Sequence, residues 1–431
     1  MKRVMFFVLV CLVMSSYQLW AGARQEKGKT ASTPITIWMK KGFVEQQNVE
    51  FEKRVKEFSA KNNIPVNAEL LAYEDAFPKW TAAIESKNVP DISFFGYQEV
   101  GQFAMQRVLE DVTVLIGKLQ AQYGKIFSNS IQAVTFGGKT YAIPFWGEGT
   151  ALYYRKDLFS KAGLSSPPDT WEDFRSYALK LTNPAAGVYG AGIGYGAGNS
   201  DAEWLSRSII WSMGGSIFSE DGKSIIFKSP ETKMAVEFIA GLFLRDKVTP
   251  PSAMGWNDAG NNTAYISGQA AMVVNTGSII KALEKNNPDL LKQTGVVVLP
   301  KGPAGRFTAG ISNNLAIFKD SKQKEVAQEL LTFLMEPAWY KEWIAVSAPL
   351  ALPVYEQLAK TETIWQKEHN KAFMESMGTF KFLGYKGEYS PAAGKIYNMR
   401  LINALFENII SKGMNTDMAI DQFVQEARKA F

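Results

Sequence analysis

Hydrophobic positions along the first hundred residues alternate between two periods. Residues 35–39 (ITIWM) are a run of β-branched and large apolar side chains too short for a helix, and Phe51, Val55 and Phe58 then recur at three- and four-residue spacing. Residues 65–71 form a second strand-like run, 77–86 a second helical stretch, and 91–95 (DISFF) a third strand, with a helix following from Glu99. This alternation predicts a βαβαβ opening, a parallel sheet with helices on its faces, and so an α/β fold. Ligands of such sheets collect beyond the carboxyl ends of the strands. Trp38 and the Gly96-Tyr97-Gln98 turn are therefore early candidates for a site.

The pattern repeats with other spacings. Helices are predicted over residues 171–181, 203–213 and 231–244, and short strands over 270–275 and 295–300. Residues 189–195 (YGAGIGY) read as a strand whose alternating glycines admit a ligand or another backbone at close range. Beyond Lys319 helices dominate, with apolar stripes at Val326, Leu330, Phe333 and Leu334 and at Ile402, Leu405, Phe406, Ile409 and Ile410. A chain of 431 residues that is 46% hydrophobic exceeds what one typical core needs, so two lobes are expected.

Residues 1–23 change the compartment. Lys2 and Arg3, an apolar run over 4–14, and Ala21-Gly22-Ala23 read as a secretory signal peptide, which predicts a periplasmic or other extracytoplasmic protein. That run is too short to span a bilayer, and no later stretch of about 20 apolar residues follows. The single cysteine, Cys11, lies inside it. Either it leaves with the signal, so that the mature chain has no disulfide and no Cys-bound metal, or it is acylated and anchors the protein to a membrane. A formal net charge of +5, with Lys2 and Arg3 in the leader, argues against nucleic acid as a partner.

Candidate chemistry is selective. Residues 133–140 (AVTFGGKT) come within one residue of a phosphate-binding loop, but a strand follows where the helix should open, so a hairpin turn at Gly137-Gly138 is the better reading. The only histidine, His369, has no second His or Cys to share a metal with, and no cofactor is expected. What the chain has is tryptophan beside polar groups: Trp146 before Gly147-Glu148, Trp204 after Asp201, and Trp256 before Asn257-Asp258. An indole face and a carboxylate suit a sugar, whose C–H face stacks while its hydroxyls donate. Burying roughly 100 Å² of sugar yields ~2.5 kcal/mol, against about 8 kcal/mol for micromolar binding. Charged hydrogen bonds in a closed, water-free cleft would supply the rest.

Residues 138–174 (GKTYAIPFWGEGTALYYRKDLFSKAGLSSPPDTWEDF) resemble the signature region of the family 1 extracellular solute-binding proteins of ABC importers, the maltose-binding-protein-like group. ITIW, VPDISFF, AYISGQAAMVVNTGS, VVVLPKGPAG and ISNNLAIFKDSKQKEVAQELLTFL match in the same order. The resemblance implies a two-lobe, type II periplasmic-binding-protein fold, each lobe a mainly parallel sheet flanked by helices. Residues 34–144 and 299–320 would form the first lobe, and 145–298 and 321–431 the second. It implies Glu148 as an acceptor of sugar hydroxyls, Tyr97 and Gln98 as ligand contacts, Trp204 as a stacking face, and Thr276-Gly277-Ser278 as a ligand-facing turn. Trp256, Asn257, Asn313 and Asn314 are further candidates. Ile279 stands where an aromatic would serve a long maltodextrin. The implied function is a monomeric, non-catalytic receptor that captures a mono- or oligosaccharide and delivers it to the membrane subunits of an ABC permease. Two alternatives stay open: another small solute, such as a polyol phosphate or a peptide, with Lys40 or Lys41 as partner; and a secreted glycoside-active enzyme pairing Glu148 with Asp201 or Asp258.

Overall fold

In the computed structural model, which describes residues 33–387 and 389–431, the two hydrophobic periods resolve into two sheets with helices around them. The signal peptide and Cys11 lie outside the described residues. The strands are β1 (Ile35–Lys40), β2 (Val66–Leu71), β3 (Ile92–Gly96), β4 (Ile143–Glu148), β5 (Ala151–Arg155), β6 (Tyr189–Ala191), β7 (Ala270–Asn275), β8 (Thr294–Val297) and β9 (Ile311–Ile317). The first sheet has the order β2-β1-β3-β9-β4, the second β8-β5-β7-β6. This is the two-lobe α/β architecture, with helix at both sheets.

Pairing is parallel for β1–β2, β1–β3 and β6–β7, as the alternating pattern requires. Around the passages between sheets it turns antiparallel: β9 with β3 and β4, and β5 with β7 and β8. By direction each sheet has one reversed strand, β9 in the first and β5 in the second, and the remaining strands run the same way, so both sheets are mainly parallel. Every residue of β3 is buried, which fits its central place, whereas β2 at the edge is largely exposed.

Several element boundaries shift. The helix expected from residue 77 runs from Tyr73 to Ser86, through Pro78, and is held by Trp80, which donates to Ser93 Oγ at 2.8 Å beneath β3. The strand expected over 189–195 ends at Ala191. A β-carbon added to Gly190 would lie 2.0 Å from the Ala178 carbonyl oxygen, so this glycine admits the backbone of the Trp171–Leu181 helix. The Gly137-Gly138 hairpin forms between residues 135–136 and 139–140.

The chain passes from β4 to β5 through Gly149-Thr150 and returns between β8 and β9. After β9 it does not go to the second sheet, as the 321–431 boundary required. The helices Lys324–Leu334 and Pro337–Ser347 pack on the first-sheet helix Glu45–Asn62 instead. Arg54 donates to the Phe333 carbonyl at 2.7 Å, and Trp343 Nε1 to the Gln47 carbonyl at 3.0 Å. The apolar stripe of residues 326–334 was legible, but a stripe does not say which sheet it covers. Only with Glu368–Met377 does the chain reach the second sheet, where His369 Nε2 lies 3.0 Å from the Thr294 carbonyl of β8.

Candidate functional site

β1 ends at Lys40, so Trp38 lies mid-strand, with the Lys79 ammonium 4.5 Å over its ring, and Lys40 holds the strand end expected of it. There Glu148 gathers three donors on one oxygen. Lys40 Nζ (3.0 Å), Trp146 Nε1 (3.1 Å) and Asn313 Nδ2 (2.9 Å) all reach Oε1, and no hydrogen bond reaches Oε2 from the described residues. The arrangement fixes the carboxylate and leaves one oxygen able to accept. Asn314, next in β9, points the other way: it is fully buried and donates to the carbonyls of Phe95 and Ser312.

A second polar group lies about 10 Å further along the same ribbon, because Ala151, three residues after Glu148, is in register with Asn275. Asp201 Oδ2 accepts from Asn261 (3.1 Å) and Asn275 (3.2 Å). Asn275 Oδ1 in turn accepts from the Thr276 amide (2.7 Å) and from Ser278 Oγ (3.0 Å). Burial pushes the Asp201 carboxyl up to about 7, aided by the nearby charge of Asp258 and opposed by the Asn261 hydrogen bond. The residue retains some exposed surface, yet its carboxylate is enclosed by these amides. Gly277 is pressed against the backbone of Pro349-Leu350.

Tyr97 and Gln98 open the helix Tyr97–Met105, rather than a loop before a helix at Glu99. Both meet a segment distant in sequence. The Tyr97 hydroxyl accepts from the Leu383 amide at 3.2 Å, and the Gln98 carbonyl accepts from Tyr389 at 2.8 Å. Burial raises the Tyr97 hydroxyl well above its ordinary range.

The tryptophans differ from the stacking role expected of them. Trp146 is 4% exposed, its ring packed against Phe145 and Trp343, because β4 is covered on both faces up to Gly147. Trp204 is covered by Tyr397 at 5.1 Å, beside the buried Glu203–Arg207 pair. Trp256 keeps a partly open face above Gly260, while Asn257 is exposed and donates no hydrogen bond, its Oδ1 accepting from the Ala259 amide.

A cavity of about 400 Å³ lies between residues 127–133 on one side and 377–389 on the other. Phe127, Phe380, Phe382, Tyr385 and Tyr389 supply aromatic surface, with Asn129, Gln132 and Lys381 as polar groups. Asn129 donates through Nδ2 to the Met377 carbonyl at 2.7 Å, and its Oδ1 is buried with no protein partner. None of the residues picked from the sequence lines this space. Tyr389 separates it from Tyr97 and Gln98, and Phe380 and Met377 from the strand of Glu148, whose Gly149 would carry a β-carbon only 2.5 Å from Ser376 Oγ. The signal available in the sequence was the aromatic recurrence in FKFLGYKGEY, residues 380–389. Among the described residues, no three His, Cys, Asp or Glu side chains converge as a metal ion requires, and no helix is long and apolar enough to cross a membrane.

The family model for bacterial extracellular solute-binding proteins matches residues 27–341. The arabinooligosaccharide-binding protein of Bacillus subtilis (strain 168) is 23% identical, with 99% of each chain aligned. The diacetylchitobiose binding protein DasA of Streptomyces coelicolor is 21% identical, with 77% of each chain aligned. Among solved structures, the sugar-binding protein MalE from Xanthomonas citri superposes with a TM-score of 0.79 at 18% identity, over 92% of this chain and 97% of that one. A sugar transporter from Arthrobacter chlorophenolicus A6 with bound laminaribiose gives 0.78 at 20% identity, over 93% and 100%. At these identities the structures show a shared fold.

Proposed function

The chain belongs to the bacterial extracellular solute-binding proteins, and from that membership we propose that it captures a carbohydrate between its lobes and hands it to an ABC permease in the membrane. The observation that carries this reading is the aromatic cavity itself, about 400 Å³ between residues 127–133 and 377–389, with Asn129, Gln132 and Lys381 among its walls. Flat aromatic walls beside amides and an ammonium fit a sugar ring, and 400 Å³ lies in the range of small-molecule sites.

The relatives support this reading: they are binding proteins for arabinooligosaccharide and diacetylchitobiose and a sugar transporter with bound laminaribiose. Glu148, Thr276, Ser278 and Trp256 lie outside the cavity, so in an opened cleft Glu148 would accept further hydroxyls through Oε2, and the other three would face the solute from the second lobe. We take the first lobe to be the first sheet with the helices through Pro337–Ser347, and the second lobe to be the second sheet with the helices from Glu368 onward. The protein would act as a monomer outside the cytoplasm, exported by residues 1–23 or tethered through Cys11, and would bind without turnover. Intrinsic tryptophan fluorescence titrated with a panel of mono-, di- and trisaccharides tests the proposal. Saturable binding of at least one sugar, recovered unchanged, is the expected result, and a flat response across the panel would refute it.

A further inference from the structure

Tyr389 sits in a notch that two glycines create. A β-carbon on Gly101, in the helix Tyr97–Met105, would lie 2.0 Å from Tyr389 Cε1, and one on Gly394, in the helix Pro391–Asn398, would lie 2.3 Å from its hydroxyl oxygen. Both glycines stand inside helices, where glycine costs about 1 kcal/mol relative to alanine. Neither has the positive φ that would demand it. Their common property is the room they leave for this ring.

The two sides of the notch belong to different parts of the molecule. Gly101 follows β3 of the first sheet. Tyr389 and Gly394 belong to a segment that packs on the helix Tyr97–Met105 and is moored on the other side as well: Ser216 Oγ donates to the Tyr385 carbonyl at 2.8 Å, Trp211 packs on Tyr385, and Trp204 packs on Tyr397. Inside the notch Tyr389 donates to the Gln98 carbonyl at 2.8 Å, and its ring meets Tyr97 and Phe136 edge-on. Its other exposure is to the cavity, whose wall it forms.

We propose that Tyr389 is a built-in latch, a side chain of the second lobe that plugs into the first and holds the lobes closed before any solute arrives. This rests on the two-lobe receptor reading and adds a ligand-independent closed state to it. A solute in the cavity then touches the latch itself, so filling the site and securing the closed form are one event.

The test uses the ligand-free full chain with Cys11→Ser and spin labels at Lys56→Cys and Glu237→Cys, exposed positions on helices of the two lobes. Pulsed dipolar spectroscopy of this parent should show a predominant short distance. Tyr389→Phe, which removes only the hydroxyl, should lower the closed-to-open ratio on the order of fivefold, and Gly101→Val, which fills the notch, should make the long distance predominate. If Gly101→Val does not fold, Tyr389→Phe carries the test alone. A parent that is already open, or a ratio unmoved by Tyr389→Phe, would overturn the latch. No sugar is added, so a failure here is separate from a failure of carbohydrate binding.

Discussion

Asn129 commits its amide nitrogen to the Met377 carbonyl and leaves its oxygen buried, while Glu148 holds three donors on Oε1 and leaves Oε2 without a hydrogen bond. The two residues therefore make different predictions. Asn129→Ala removes the hydrogen bond that ties the two cavity walls together at the Met377 carbonyl and should weaken binding by about three- to tenfold. Glu148→Gln removes a charged acceptor, so the loss should be larger, on the order of 10- to 100-fold. Calorimetric titration with the best sugar of the panel measures both. Asp201 acts on stability. Its carboxyl titrates near 7 in the folded chain but near its ordinary 3.8 when unfolded. Between those pH values the folded state therefore holds the extra proton, and stability falls as pH rises through the window. Asp201→Asn, which keeps an acceptor for Asn261 and Asn275, should lose this slope. Its stability relative to wild type should rise by about 2 kcal/mol between pH 5 and pH 8 in denaturant unfolding.

At the scale of elements, the glycine-rich run 189–195 was open to two readings, an approaching ligand or an approaching backbone. The structure gives the second, because the helix Trp171–Leu181 lies directly on β6. That helix starts where the sequence placed it, through the Thr170–Asp173 capping box, and a helix fixed at its cap cannot yield easily to a larger neighbour. Gly190→Ala should thus destabilise the protein by about 1–3 kcal/mol without altering sugar affinity. Urea unfolding alongside a binding titration separates these effects. Gly149 follows the same logic. It looked like the setting of a site residue, yet it makes room for Ser376 and Phe380 of the opposite segment. The tryptophans show the reverse. Placed beside acids in sequence, Trp146 and Trp204 were read as stacking faces, and the packing of Trp343 and of Tyr397 buries them.

For the whole molecule, the decisive feature is the number of passages between sheets. The chain leaves the first sheet at Gly149-Thr150, returns before β9, and stays with the first sheet through Pro337–Ser347 before the final helices cover the second. The seam between the lobes consequently takes its walls from segments about 250 residues apart, residues 127–133 and 377–389. A closure built this way couples any solute in the cavity to the contact between Tyr389 and the Gln98 carbonyl.

The sequence by itself determined the local and the repetitive: strands β1 to β3 and the helices between them, the hairpin at Gly137-Gly138, the helix after Thr170, the α/β class and, through its motifs, the family. These rest on neighbours within a few residues, where side-chain period and capping chemistry act directly. It also placed Glu148 at a strand end, because a carboxylate between glycines has a local meaning. The tertiary structure alone decided which sheet the helices after β9 cover, that the indoles of Trp146 and Trp204 face inward, and that Asn129 and Tyr389 border one cavity. Those outcomes depend on contacts between residues hundreds of positions apart, and no local periodicity encodes which distant surface a buried face will meet.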